Sequence, residues 1–260
     1  METSRLRTFR GNCSNGVMPC QDNFVNDISN IDNFDIYSYI LKNSNNHINY
    51  FWLGKREYCY IWDLQKDLQQ DVKNNTMNDV VLFLEHNPVY TLGKNTDNSN
   101  ILPTKPLGVP IVKTDRGGDV TYHGPGQLVG YPIVDLKKYR KSITWFMRGL
   151  EDSIIKMLNS INIDSNIKEG LTGVWVNDKK IAALGVRLSR WVSMHGFAIN
   201  VYTDMTHYNG IVPCGISDFG LTSIYKLNST DYSLIEIADR MSISLSDLFQ
   251  RSKENKINHA

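Results

Sequence analysis

The chain has 260 residues, with 28 Lys and Arg against 27 Asp and Glu for a formal net charge of +1, and 41% of its residues are hydrophobic. That length carries one sizeable core, or one domain with a tail, and the balanced charge excludes the global basic signature of a nucleic-acid-binding protein. No run of 18 apolar residues and no secretory h-region occurs, so neither a membrane span nor an export signal is predicted.

The first ten residues hold Arg5, Arg7 and Arg10 against Glu2, a pattern shared by organelle transit peptides and unstructured tails. Residues 12 to 49 are rich in Asn, Asp and Ser, with few apolar positions in register. They read as loop and linker, so residues 1–49 are expected to form an N-terminal extension and residues 50–260 the folded domain.

Ile61, Leu64, Leu68 and Val72 recur at helical spacing and predict a helix. The continuous apolar run from Val80 to Leu84 predicts a buried strand, which Pro88 interrupts before a second extended piece from Val89 to Leu92. Val109 to Lys113 and Leu128 to Val134 predict further strands. Phe146, Leu150, Ile154 and Leu158 then mark a helix. Gly173 to Val176 and Lys180 to Leu184 flank Asn177-Asp178, a hairpin signal, because Asn and Asp tolerate the positive φ of tight turns. Trp191 to Val201 predicts another strand, and Ser233 with Glu236 forms a capping-box pattern ahead of a C-terminal helix. Strands early and late, with helices between and after them, predict an α+β domain with a mixed β-sheet flanked by helices.

The four cysteines, Cys13, Cys20, Cys59 and Cys214, match neither a zinc-site spacing nor a CxxC redox motif. This predicts a reduced, intracellular chain with no metal site. His86, His123 and His195 also lack metal spacing, and each taken singly reads as a satisfied core histidine. His195 alternates in phase with Trp191, Phe197 and Ile199, which can place it on an apolar pocket.

The densest segment runs from Arg116 through Gly117, Gly118, Asp119, Val120, Thr121, Tyr122 and His123 to Gln127. Its glycines allow close approach of backbone N–H groups to an acyl carbonyl or a phosphate. It matches neither the Walker loop nor the dinucleotide fingerprint, and a purely structural glycine-rich hairpin is the alternative. Cys214 stands between Pro213 and Gly215, which fix a sharp backbone and can display a thiol. Near a cation such a thiol becomes a nucleophilic thiolate; by local sequence alone a small buried cysteine is the commoner reading. Lys180 supplies a candidate cation. Strand alternation groups it with Ala182, Leu184 and Val186, and burial of that face would desolvate its amine. Lys179 points the other way.

Taken in order, these segments resemble the lipoyl(octanoyl) transferase family. Arg116 to Pro132 resembles its signature, Leu84 to Lys94 its upstream strand motif, and Gly173 to Val176 with Lys180 to Arg187 its lysine motif. His195 to Asn200 and Pro213 to Ile216 follow in the same order, so the resemblance spans about residues 50 to 226. Asn87 is a modest departure.

The resemblance implies a biotin/lipoate-protein ligase-like catalytic fold and transfer of octanoyl from octanoyl-acyl carrier protein. The implied acceptors are lipoyl domains, those of 2-oxoacid dehydrogenase E2 subunits and the glycine cleavage H protein. It implies Cys214 as the acyl-thioester nucleophile and Lys180 as the group that lowers its pKa. Arg116 through His123, Ala183, Leu184, Gly185, Gly196, Phe197 and Ala198 are implied to bind substrate. No metal, nucleotide or other cofactor is implied, since the acyl group arrives activated on phosphopantetheine. A mitochondrial location is expected, with a cytoplasmic or other organellar one as the alternative. The rival readings are an ATP-dependent lipoate ligase of the same fold and a non-catalytic acyl- or lipoyl-domain-binding module. Lys137, Lys138, Arg140 and Lys141 form either a docking patch for an acidic carrier protein or a solvated loop.

Overall fold

The computed structural model describes residues 24–44, 47–212 and 220–257, with side chains to 252. Cys13, Cys20 and Cys214 lie outside the described residues, as do Arg5, Arg7 and Arg10.

The elements run β1 (Val25–Asp27), α1 (Asn33–Asn43), β2 (Asn49–Arg56), α2 (Tyr58–Asn74), β3 (Val80–His86), β4 (Val89–Leu92), β5 (Ile111–Lys113), β6 (Thr121–His123) and β7 (Gln127–Ile133). They continue α3 (Ile143–Asn159), β8 (Asn166–Lys168), β9 (Leu171–Val176), β10 (Lys179–Ser189), β11 (Val192–Asn200), β12 (Gly220–Leu221), α4 (Ile224–Asn228) and α5 (Leu234–Ile257). One mixed sheet takes the order β1-β2-β3-β7-β11-β10-β9-β8, with β12 also paired to β10; a small sheet, β5-β4-β6, stands beside it.

Helices cover both faces of the large sheet. On one face Ile61, Leu64, Leu68 and Val72 of α2 and Ile36 and Ile40 of α1 pack with Leu82, Leu84, Val129 and Ala198. On the other, Phe146, Leu150 and Ile154 of α3 and Ile237, Met241 and Leu245 of α5 pack with Phe83, Leu128, Phe197 and Ile199. Residues one apart on β3, β7 and β11 thus serve opposite cores, which is why these strands read as nearly continuous apolar runs. The small sheet has its own core of Tyr90, Leu92, Val120, Tyr122, Tyr208 and Ile211.

The predicted helices and strands from Ile61 onward recur as α2, β3, β4, β5, β7, α3, the β9–β10 hairpin, β11 and α5, with shifted ends. Asn177 adopts φ 52° in the hairpin turn. Ser233 and Glu236 form the capping box: the Ser233 N–H donates to Glu236 Oε2 at 2.8 Å, and the Glu236 N–H to Ser233 Oγ at 3.4 Å.

The Asn-rich stretch departs from its linker reading. Residues 25–27 form an edge strand parallel to β2, and α1 buries Ile36 and Ile40 completely. Two well-placed apolar side chains one turn apart suffice when a preformed helix and sheet are there to receive them. The sheet therefore begins upstream of Tyr50.

Candidate active site

The glycine-rich loop folds back onto β10 because the Gly117 N–H donates to the Val186 carbonyl at 3.0 Å. Arg116 is buried, and its guanidinium anchors the loop to β4. It donates to the Thr91 carbonyl at 2.6 Å, to Thr91 Oγ1 at 2.9 Å and to the Gly117 carbonyl at 3.1 Å. A planar fork of five donors meets such a set of acceptors where an ammonium cannot.

Between this loop and β10–β11 lies an open cleft. Arg116, Gly118, Val120 and Thr121 form one wall, and Ala183, Leu184, Gly185, Gly196, Phe197 and Ala198 the other. Tyr58, Tyr131, His123, His195 and Asp119 close it. Ala183 stands opposite Ala198 and Gly185 opposite Gly196 across the β10–β11 ladder. Directly opposed residues share a face, so that patch of the sheet carries nothing larger than a methyl group. At Gly196 a Cβ would fall 2.2 Å from the Gly130 carbonyl oxygen.

Twelve of the fourteen residues expected to bind substrate line this cleft. The exceptions are Gly117, whose backbone is spent on Val186, and Tyr122. Strand alternation turns Tyr122 away from Thr121 and His123 and into the small sheet's core, where it stacks on His207 at 4.8 Å.

Three buried histidines stand at or beside the cleft, with His123 and His195 lining it. His123 Nδ1 lies 2.8 Å from Gln127 Oε1, and His86 bridges the Arg56 carbonyl and the Tyr131 hydroxyl, each at 2.9 Å. Burial pushes His86 down to about 4 and His123 down to about 3, with His86, Arg116 and His195 adding to the effect at His123. Burial also lowers His195, against the opposing pull of Asp115. His195 Nε2 donates to Asp115 Oδ1 at 2.8 Å, while Arg187 pairs with Oδ2 of the same carboxylate. The hydrogen bond from His195 holds Asp115 below the usual carboxylate range. His195 itself sits at φ 60° inside a strand, its N–H held by Gln65 Oε1 at 2.9 Å. That is a strained backbone for a non-glycine residue.

Lys180 is 5% exposed, so the expected burial is met. Strict alternation fails beside it: a bulge between Lys180 and Ala182 shifts the register against β9, and Ile181 and Ala182 both enter the core. Lys180 Nζ lies 4.8 Å from the centre of the Trp175 ring. Gly173, at φ 135°, leaves room for its stem, since a Cβ there would meet Lys180 Cε at 3.1 Å. Lys180 is not a wall of the cleft, although Ala183, three residues along the same strand, is.

Both flanks of residues 213–219 are anchored at the site. On the upstream side the Val212 N–H donates to the Asn100 carbonyl at 2.8 Å, and the Asn100 side chain donates to Asp119 Oδ2 at 2.6 Å. On the downstream side Leu221 pairs with Lys180, and the Thr222 N–H donates to the Lys180 carbonyl at 3.0 Å.

Residues 57–246 match the family model of the lipoyl protein ligase A/B catalytic domain. This chain belongs to that family. An octanoyltransferase of Gloeobacter violaceus is 46% identical over 165 residues, covering 63% of this chain and 74% of that protein. One of Solibacter usitatus is 43% identical over 201 residues, covering 76% and 90%. Among solved structures, the bi-partite lipoate protein ligase with its E2 lipoyl domain from Thermoplasma acidophilum superposes with a TM-score of 0.60 at 15% identity, over 80% of this chain and 85% of that one. Biotin protein ligase from Aquifex aeolicus, in complex with biotin and ATP, gives 0.52 at 17%, over 81% and 73%. The fold is the α+β lipoate/biotin ligase catalytic fold. Among the described residues no group of His, Cys, Asp and Glu is placed to hold a metal ion, and no helix is long and apolar enough to cross a membrane.

Tyr58 and Asp115 were not singled out from the sequence, and Gln127 and Tyr131 entered only as members of the signature from Arg116 to Pro132. Gln127 and Asp115 flank or end the glycine-rich motif, which was the available signal; Tyr58 carried none.

Proposed function

We propose that the chain is an octanoyltransferase that carries the acyl group on Cys214 and passes it from octanoyl-acyl carrier protein to the lysine of a lipoyl domain. The observation that carries this reading is that the two residues flanking the Cys214 segment in the described chain reach the site, Val212 through Asn100 to Asp119 and Thr222 to Lys180. The 41–46% identity to proteins named octanoyltransferase supports the activity.

The Cys214 thiolate attacks the thioester carbonyl. The tetrahedral oxyanion collapses, and the carrier's phosphopantetheine leaves as a thiolate that takes a proton from Lys180. On this reading backbone N–H groups of the glycine-rich loop steady the oxyanion. The lysine amine of the lipoyl domain then attacks the enzyme thioester, the Cys214 thiolate departs, and Lys180 recovers the proton lost by the nitrogen. The Ala and Gly patch, with Val120, Phe197 and Leu184, supplies an apolar bed for the acyl chain. A thioester is already activated, so neither ATP nor a metal is required. The lipoyl domains of 2-oxoacid dehydrogenase E2 subunits and the glycine cleavage H protein are the acceptors on this reading. The mitochondrial location rests on the arginines near the start, the Asn-rich stretch and the residence of lipoyl domains in mitochondria; cell fractionation tests it.

Mixing enzyme, octanoyl-acyl carrier protein and a lipoyl domain without nucleotide is expected to add one octanoyl group to the lipoyl domain. A requirement for ATP would establish the ligase instead.

The basic cluster is partly engaged. Lys137 pairs with Asp135 at 3.2 Å and Lys138 with Asp79 at 2.9 Å, so the carrier-docking reading of this loop gains no support from them.

A further inference from the structure

The orientation of Gln127 follows from backbone carbonyls, which only accept hydrogen bonds. Asn200 Nδ2 donates to the Thr222 carbonyl at 3.2 Å, which turns Asn200 Oδ1 toward Gln127. Gln127 meets that oxygen at 3.1 Å and the Tyr122 carbonyl at 3.2 Å with its amide nitrogen, and the same nitrogen lies 2.9 Å from the Tyr208 hydroxyl. Its Oε1 therefore faces His123 Nδ1 at 2.8 Å. An amide oxygen at that distance requires the proton on Nδ1 and leaves the lone pair on Nε2. His123 lines the cleft, and its Nε2 makes no hydrogen bond among the described residues.

We propose that Gln127 is a positioning residue that fixes His123 as a neutral hydrogen-bond acceptor, and that His123 Nε2 receives an N–H of the acceptor lysine's amine as it attacks the enzyme-bound acyl group. This rests on the octanoyl-transfer reading. The acyl donor brings only acceptors to the reacting centre, a carbonyl oxygen and a thioester sulfur. The amine is the reacting group that brings N–H donors. A lone pair held in place complements it, orienting the nitrogen's own lone pair toward the carbonyl.

Neutrality is part of the design. Tyr58 stacks on the ring at 5.9 Å, His86 lies at 5.9 Å, and Arg116 and His195 complete the ionisable groups around it. Burial first, then His86, Arg116 and His195, hold His123 down to about 3 against the opposing pull of the Gln127 hydrogen bond. A charged ring would present an N–H in place of the lone pair and could not accept from the incoming amine.

The test separates the two half-reactions. Gln127→Glu places a carboxylate against Nδ1, which favours the doubly protonated ring. Transfer from octanoyl-enzyme to a lipoyl domain is expected to fall about tenfold at about pH 6 and to recover toward about pH 8, while loading from octanoyl-acyl carrier protein changes less than about twofold. Ring-nitrogen NMR of the wild-type protein is expected to show the neutral Nδ1–H form of His123 from about pH 8 to about pH 5. An Nε2–H form overturns the proposal, even where Gln127→Glu fails to fold. So does a Gln127→Glu enzyme that slows both half-reactions equally, or neither. A wild-type enzyme that never loads octanoyl refutes the transfer reading and this role with it, whereas the tautomer reports on Gln127 independently.

Discussion

Asp115 Oδ1 accepts a hydrogen bond from His195 Nε2 at 2.8 Å, tying the residue that opens the glycine-rich loop to the strand forming the opposite wall of the cleft. The same carboxylate pairs with Arg187 of β10. This side chain and the Gly117–Val186 backbone hydrogen bond together hold the two walls between which the acyl chain is proposed to lie.

Asp115→Ala removes both partners at once. The loop keeps its Arg116 anchor but loses its clamp to β11. Km for octanoyl-acyl carrier protein is expected to rise several-fold with a smaller change in kcat. Loss of the hydrogen bond to a buried ring costs about 1–2 kcal/mol, which lowers Tm by a few degrees in a chain of this size. Steady-state kinetics and thermal denaturation check both.

Acid stability follows from the histidines. His86 and His123 are neutral when folded down to about 4 and about 3, whereas unfolded histidine takes up its proton near pH 6.5. Below that pH the unfolded chain binds more protons, so stability is full above about pH 6.5 and falls as the pH drops toward the folded values. Each residue contributes a slope of about 1.4 kcal/mol per pH unit within its window. Urea midpoints from pH 7 down to pH 4 measure this, and His86→Gln is expected to flatten the curve.

Gly196→Ala puts a methyl group 2.2 Å from the Gly130 carbonyl oxygen and 2.6 Å from Pro132 Cδ. Both obstacles belong to the central strand β7, which has little freedom to yield. A loss of about 1–3 kcal/mol is expected, together with weaker acyl binding as β7 and β11 separate. Chemical denaturation alongside Km for the donor reads the two effects.

Much of this was legible in the sequence because it rests on local pattern. The runs at Val80 to Leu84 and Leu128 to Val134 are strands whose alternate residues enter two different cores. The order of the motifs also brought together most of the cleft wall. Tertiary facts were not legible. Ile36 and Ile40 look isolated among asparagines until α2 and the sheet supply their partners. Tyr122 lies inside the signature but faces the small sheet, because alternation within a three-residue strand is invisible without knowing which neighbour is inward. The bulge at Ile181 displaced the alternation used to place Lys180, although its burial was foreseen. Gln127 could be weighed only once Asn200 and Thr222, more than seventy residues away in the chain, stood beside it.

Lys180→Ala is expected to slow loading of Cys214 by about a hundredfold or more. Cys59 is an exposed free thiol and serves as an internal reference for iodoacetamide. In the wild-type enzyme iodoacetamide is expected to alkylate Cys214 faster than Cys59, and Lys180→Ala is expected to remove that difference. Equal rates in the wild type would contradict an activated thiolate.

The most direct test is the intact mass of the enzyme after mixing with octanoyl-acyl carrier protein alone, without ATP or acceptor. One added octanoyl group is expected, absent in Cys214→Ser and discharged when a lipoyl domain is added. An unmodified wild-type enzyme that still octanoylates the lipoyl domain, or an adduct that persists in Cys214→Ser, would contradict Cys214 as the acyl carrier.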